Sequence, residues 1–261
     1  MLDLPPGWAT DIAILEHSGS IVRDHGDHLL IRTPSNPDFY WGNCLFVTDE
    51  SAVDDAGRWV QTFHSAFPAA SWVAIGLIRM PADREPWVTR GLELEQDDVL
   101  TTRTVPRQTP LPEGYVVRRF ADDDWAQSVA RSVAENDRTG EEEPRSFGRF
   151  AMAQTQARRE LSDRDLGASF GAFADDVLVA DLGIVRCGRT ARYQSVGTDE
   201  RHRRRGLATH LLGVAARWAG GHSCDRWVIV TEATNPAGRV YRSVGFEPDI
   251  CNAQAFRKPP R

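Results

Sequence analysis

Alternation of apolar and polar positions predicts three neighbouring strands in the C-terminal half of the chain. The strands cover residues 168–174, 177–186 and 191–198, and turns at Asp175-Asp176 and Gly188-Arg189 join them. Runs of period two joined by such short turns are typical of antiparallel hairpins. The sequence therefore predicts an antiparallel meander in this region.

Other patterns predict the elements around this meander. They are a strand over 115–120, helices over about 122–136 and 147–161, a helix over 206–219, a strand over 226–231, a helix over 236–244 and a strand near 253–257. The helices are predicted from apolar positions at helical spacing and from capping residues, and the strands from runs of β-branched residues. Strands and helices thus segregate along this half, as in an α+β domain.

The pattern of the first hundred residues predicts a second set of strands and helices. These are strands over 12–15, 20–23 and 28–32, a helix over 56–67, and strands over 71–78 and 92–105. Prolines are concentrated between Val105 and Gly114, which is typical of an extended linker. We therefore predict domains at 1–105 and 115–261, joined by a linker over 106–114.

Composition narrows the range of functions. The net charge of −6 and the isoelectric point near 5.7 argue against nucleic-acid binding, which usually needs a wide basic surface. The sequence shows no apolar run of the roughly 20 residues that a membrane helix needs and no signal-peptide pattern, so we expect a cytoplasmic protein without a membrane partner. The four cysteines, with no paired spacing, predict free thiols and no metal site.

A cluster of arginines at the start of the helix over 206–219 predicts an anion site. Arg203, Arg204 and Arg205 precede Gly206, and Leu207 and Ala208 open the helix. Free N–H groups and the partial positive charge of a helix start bind phosphates, and guanidinium groups strengthen that binding. No lysine follows the glycine as in a P-loop, which favours a ligand whose phosphates are not transferred.

A second motif follows the strand over 226–231. It runs from Asn235 through Tyr241 to Gly245-Phe246, with Pro236 in the first turn of a predicted helix. The spacing Arg203-x-x-Gly206-x-Ala208 and this segment together resemble the acetyl-CoA loop and the Asn…Tyr…Gly-Phe element of the GCN5-related N-acetyltransferase (GNAT) family.

The resemblance implies the GNAT fold, an α+β (three-layer α/β) architecture with a mixed, mostly antiparallel sheet flanked by helices. It also implies acetyl-CoA as cosubstrate, held where the strand before the phosphate loop diverges from the next strand. The residues predicted to bind it are Val196, Gly197, Thr198, Arg203, Arg204, Arg205, Gly206, Leu207, Ala208, Thr209, Asn235 and Tyr241.

The N-terminal half resembles the first half of tandem GNAT-like proteins. Its counterpart of the phosphate loop, residues 48–55, carries four carboxylates and lacks the arginine-glycine motif. Carboxylates repel a pyrophosphate, so we predict a degenerate domain without cofactor. An unrelated α+β domain is the alternative.

The resemblance assigns Tyr241 as proton donor to the departing thiolate, and a backbone N–H of Val196 or Gly197 as donor to the thioester carbonyl. Glu232, Glu135 or an ordered water is the candidate base. Neither motif contains a cysteine, which favours direct attack by a primary amine in a ternary complex.

Several questions stay open at this stage. The acceptor is a small-molecule or peptide amine, and the glutamates of the loop over 137–144 hint at a cationic one. A non-catalytic acyl-CoA sensor is the alternative function. A homodimer is one alternative for the oligomeric state.

Overall fold

The computed structural model describes residues 4–140 and 142–259, which form two compact units. Unit 1 extends to Val99 and also contains residues 231–234 and the segment from Asp249 onward. Unit 2 contains residues 100–230 and 235–248. No helix in the described ranges is long and apolar enough to cross a membrane.

Unit 1 contains a mixed sheet and three helices. Its strands are β1 (Ile21–Asp24), β2 (His28–Arg32), β3 (Cys44–Val47), β4 (Val73–Leu77), β5 (Glu93–Thr102), which continues into unit 2, and β12 (Asn252–Arg257), in the order β1-β2-β3-β4-β12-β5. Its helices are α1 (Pro6–His17), α2 (Ala56–Ala66) and α3 (Glu85–Val88). Strands β3 and β4 are parallel, and the other pairs are antiparallel.

The predicted strand over 12–15 is wrong, because these residues lie in helix α1. A short apolar run fits a strand or a buried helix equally well. The neighbouring residues favour the helix, because Pro6 lies in the first turn, where its missing N–H costs nothing. Trp8, Ile12 and Leu15 then follow at helical spacing and are all buried on one face.

Unit 2 contains the predicted meander. Its further elements are β6 (Val116–Arg119), α4 (Asp124–Thr139), α5 (Pro144–Asp163), β7 (Gly167–Ala174), β8 (Val177–Cys187), β9 (Thr190–Thr198), α6 (Leu207–Gly221), β10 (Arg226–Glu232, its last two residues in unit 1), α7 (Ala237–Ser243) and β11 (Glu247–Pro248). Strands β6 to β9 pair antiparallel in sequence, and β10 pairs parallel with β9.

Helices cover both faces of the unit 2 sheet. Alternate residues of β8, such as Leu182, pack with α6 residues such as Leu211 in one apolar core. The intervening residues, such as Asp181 and Gly183, face side chains of α4 and α5. The predicted class, a mostly antiparallel sheet between helical layers, is confirmed.

The proline-rich segment before β6 lies on unit 2. Arg107 donates its N–H to the Val244 carbonyl at 2.9 Å, and the Thr109 hydroxyl contacts the Thr209 hydroxyl at 2.7 Å. Strand β12 belongs to unit 1, whereas the sequence predicts it within the domain over 115–261. The division into 1–105, 106–114 and 115–261 as functional domains stays a prediction.

Candidate functional site

Strands β9 and β10 separate along their length. They pair only over Thr190–Arg192 and Arg226–Val228, so the second half of β9 has no β10 partner. The gap opens toward the end of β9 that leads into the loop before α6. Unpaired amides at such a gap need hydrogen-bond partners, which an extended ligand with amide groups can provide.

A bulge sets the direction of the β9 backbone in this gap. Ser195 adopts a φ of 51°, and the register with β8 shifts between Asp181 and Gly183. After the bulge, the Asp199 N–H donates to the Val179 carbonyl at 2.8 Å. Because backbone groups alternate in direction along a strand, Gly197 then faces β8, and Val196 and Thr198 face the gap. This geometry favours Val196 over Gly197 as the donor to a bound carbonyl.

The loop between β9 and α6 presents a row of backbone N–H groups. Arg204 and Gly206 both adopt left-handed conformations, with φ of 62° and 83°. Within the described chain, the backbone N–H groups from Arg204 to Thr209 donate to no other residue. Successive N–H groups in such a turn, followed by a helix start, form an anion-binding nest.

The arginines of the loop differ in their contacts. Arg203 donates from Nε to the Thr198 carbonyl at 3.1 Å and from a terminal nitrogen to Glu135 at 3.1 Å. Arg205 donates to the Arg201 carbonyl at 3.3 Å. The Arg204 guanidinium is exposed and makes no contact of this kind with a described residue. Arg203 therefore fixes the loop to β9 and α4, and Arg204 is available to a ligand.

Two predicted ligand residues also have structural roles. The Asn235 side-chain oxygen accepts from the Ala237 N–H at 3.0 Å, so it caps α7. The Thr209 hydroxyl donates to the Gly206 carbonyl at 2.8 Å. These contacts shape the turn before α7 and the start of α6.

Tyr241 lies in the core of unit 2 with 5% of its surface exposed. Its hydroxyl forms no hydrogen bond with a described residue, in contrast to that of Tyr193, which donates to the Leu212 carbonyl at 2.8 Å. Burial raises the pKa of Tyr241 to about 12, against a smaller lowering by the charge of Arg192. The phenol thus stays protonated at neutral pH, with its O–H available to a ligand.

We expect the buried tyrosines to make the protein less stable at alkaline pH. Burial raises the pKa of Tyr193 well above 10 and that of Tyr241 to about 12. The unfolded chain ionises these phenols from about pH 10, so the stability they contribute is complete below that pH. Above pH 10, the free energy of unfolding falls by up to about 1.4 kcal/mol per pH unit for each tyrosine. The fall ends when the phenol ionises in the folded protein too.

Urea unfolding at pH 9, 10 and 11 measures this effect. Tyr193→Phe removes one of the two phenols. The free energy of unfolding of this variant is therefore expected to fall less between pH 10 and 11 than that of the wild type. An identical slope in wild type and variant would contradict the assignment.

The two glutamates predicted as bases have different surroundings. Hydrogen bonds from Arg138, and then the nearby Arg203, hold the pKa of Glu135 below its usual value. A carboxylate paired with two guanidinium groups is a poor proton acceptor. Glu232 ends β10 and is exposed. The role of either residue as base stays a prediction.

The acidic loop before α5 is largely a helix cap. Glu143 accepts hydrogen bonds from the N–H groups of Arg145 and Ser146, at 3.1 and 2.8 Å. The Glu142 N–H donates to Asn136 at 3.0 Å. Glu141 lies outside the described residues. Capping accounts for Glu143 without a cationic acceptor.

Sequence reasoning missed Arg131 of α4. Its guanidinium lies directly over Gly197, where a Cβ atom would come within 2.6 Å of it. Arg131 also pairs with the buried Asp181 of β8. Its position one turn before Glu135 on α4 was a signal that this helix face meets β9.

The corresponding region of unit 1 is closed by its own side chains. Asp49 accepts from the Ser51 N–H at 2.9 Å, and Asp55 caps α2 by accepting from the Arg58 N–H at 3.1 Å. Strands β3 and β4 stay paired to their ends, at Val47 and Leu77. The absence of a cofactor in this half stays a prediction, and this geometry agrees with it. No group of three His, Cys, Asp or Glu residues in the described ranges is arranged to hold a metal ion.

Comparison with known proteins identifies the loop and strand arrangement. Residues 132–246, which include the gap, the loop and Tyr241, match the model of the Acetyltransferase (GNAT) family. Residues 132–246 are therefore similar to GNAT acetyltransferases. The recognition made from the two motifs is thereby confirmed. The search of curated proteins found no match.

Solved structures extend the GNAT fold to the whole chain. A GCN5-related N-acetyltransferase from Kribbella flavida aligns with a TM-score of 0.66 at 17% identity, covering 97% of this chain and 95% of its own. One from Sphaerobacter thermophilus aligns at 0.58 and 18% identity, covering 92% and 83%. A tandem GNAT protein from the clavulanic acid biosynthesis pathway aligns at 0.58 and 12% identity, covering 95% and 88%. The predicted tandem GNAT-like fold is confirmed.

Proposed function

We propose that the chain is an N-acetyltransferase that transfers the acetyl group of acetyl-CoA to a primary amine. The observation that carries this proposal is the run of free backbone N–H groups from Arg204 to Thr209, next to the gap between β9 and β10. The gap and the loop together fit a ligand with an extended amide-containing arm and a pyrophosphate. Coenzyme A has both features.

In this proposal the loop binds the pyrophosphate and β9 binds the arm. The N–H groups of Arg204 to Thr209 and the Arg204 guanidinium hold the phosphates. Val196 and Thr198 pair with the amides of the arm, since their backbone groups face the gap. The Val196 N–H polarises the thioester carbonyl.

Tyr241 stabilises the departing thiolate. A phenol of pKa about 12 is a weaker acid than a thiol of pKa near 8.5, so complete proton transfer is uphill. A hydrogen bond from the phenol to the sulfur still lowers the barrier. The amine attacks directly, and an ordered water or Glu232 removes its proton.

The alternative is a protein that binds acyl-CoA without turnover. The cap made by Asn235 and the core position of Tyr241 fit such a sensor equally well. The Tyr241 hydroxyl has no hydrogen-bond partner among the described residues, which favours the enzyme, since a purely structural tyrosine would be expected to bond as Tyr193 does.

Two measurements test the proposal. Calorimetry is expected to show acetyl-CoA binding to the full chain, and thiol release in a panel of primary amines is expected to exceed the rate without amine. Binding without release on any amine would favour the sensor. Absence of binding would contradict both alternatives.

A further inference from the structure

A charged cluster lies on the face of the unit 2 sheet opposite α6. It consists of Arg131 of α4, Arg158 of α5 and Asp181 of β8. Asp181 pairs with Arg131 and accepts from the Ser128 hydroxyl at 2.7 Å. The side chains of Arg131 and Asp181 are 17% and 1% exposed. Asp181 is thus removed from bulk water, and Arg131 is mostly buried.

Arg158 has no carboxylate of its own in the described chain. One terminal nitrogen donates to the hydroxyls of Ser128 and Thr155, at 3.3 and 3.1 Å. Its Nε and its other terminal nitrogen are buried and have no hydrogen-bond partner, and the Nε of Arg131 is in the same state. The charges that act on Arg158 are those of Asp181 and Arg131. Two guanidinium groups therefore share one carboxylate.

An uncompensated buried charge destabilises a protein. Removing a cation from water costs several kcal/mol, and only a paired, fully hydrogen-bonded partner offsets that cost. The unbonded N–H groups of Arg158 add to it. An anion supplied by a ligand would satisfy both requirements at once.

The cluster lies beside the part of β9 that borders the proposed thioester site. Arg131 covers Gly197. The Arg158 side chain packs over Gly183, with its Cδ 3.7 Å from the position that a Cβ atom would take there. Gly183 pairs with Gln194 of β9. Gly197 is the neighbour of Val196, the proposed donor to the thioester carbonyl. An anion held here is therefore within a few residues of the reacting carbonyl.

We propose that the amine acceptor carries a carboxylate, and that Arg158 and Arg131 bind it. This inference rests on the proposed acetyltransferase function and names the substrate class: an amino acid or a similar amine with a nearby carboxylate. A guanidinium fork binds a carboxylate through two parallel hydrogen bonds, which also orients the rest of the molecule. The amine is thereby directed toward β9.

Binding of product analogues tests the proposal without any turnover. The probes are N-acetyl-L-amino acids and their primary amides, which differ only in the carboxylate. Calorimetry on the full chain is expected to show at least about tenfold tighter binding of the acids, as for charge-assisted hydrogen bonds. Equal affinity for acids and amides, or no binding of either, would overturn the proposal.

Arg158→Met is the decisive variant. It removes the uncompensated charge and keeps the apolar stem, while Asp181 retains Arg131 and Ser128. We expect the preference for acids to disappear and the melting temperature to stay the same or rise. Arg159→Met is the matched control on the same helix, because Arg159 pairs with the exposed Asp122. It is expected to keep the preference.

Two results with Arg158→Met would count against the inference. A fall in kcat that is equal for amines with and without a carboxylate would mean that Arg158 acts on the thioester. A fall in melting temperature, repeated in Arg158→Gln, with the acid preference kept, would mean that it is structural. Acetyl-CoA titrations on the same samples report separately on the proposed function, so failure of one proposal is not read as failure of the other.

Discussion

Tyr241→Phe is expected to lower kcat by about 100-fold or more, with little change in the affinity for acetyl-CoA. The side chain is largely buried and its hydroxyl has no hydrogen-bond partner among the described residues, so the loss of that hydroxyl removes no internal hydrogen bond. What the variant loses is the O–H available to the departing sulfur. Steady-state thiol release measures kcat, and calorimetry measures the affinity.

Tyr193→Phe is the matched control for this prediction. Tyr193 belongs to the same core, and its hydroxyl is bonded to the Leu212 carbonyl. The control is expected to lose about 1 kcal/mol of stability and to keep its kcat. If both variants kept wild-type turnover, Tyr241 would have no role in the transfer.

Gly206→Trp is expected to weaken acetyl-CoA binding by at least about 100-fold, which corresponds to the loss of two charge-assisted hydrogen bonds. Gly206 adopts a φ of 83°, and it separates the arginine run from α6. A large side chain at this position distorts the turn and fills the space in front of the N–H groups. Calorimetry with acetyl-CoA measures the change.

Gly188→Trp controls for the cost of the backbone conformation. Gly188 also adopts a positive φ, of 65°, and has no neighbour within 4 Å of a Cβ atom. It lies in the turn between β8 and β9, at the opposite end of β9 from the phosphate loop. The control is expected to lose comparable stability and to bind acetyl-CoA normally. Equal affinities of the two variants for acetyl-CoA would show that the loop before α6 is not part of the binding site.

The sequence predicts the site best where chemistry depends on consecutive residues. The turn at Gly206 and the cap at Asn235 are local structures, set by residues within a few positions of each other. The strands of the meander are predicted for the same reason, since each contacts its sequence neighbour. The observed bounds of these strands differ from the predicted ones by one residue at most.

Features that depend on distant contacts could not be read from the sequence. Arg131 and Arg158 stand in amphipathic helices, where an arginine usually faces water. Only the packing of α4 and α5 on the sheet brings both to Asp181. The bulge at Ser195 is likewise unpredictable, because nothing in the residue itself requires a φ of 51°. The helix over 6–17 was missed because the apolar run over 12–15 fits a strand equally well, and the helical spacing appears only when Trp8 is included.

The position of β12 bears on how the chain folds during synthesis. In unit 1 this strand lies between β4 and β5, yet it follows β5 by ~150 residues along the chain. A nascent chain leaves the ribosome N-terminus first, and domains generally fold in that order. Until β12 emerges, the edges of β4 and β5 that pair with it lack this partner strand. Unit 1 therefore completes its sheet only after most of unit 2 has been translated.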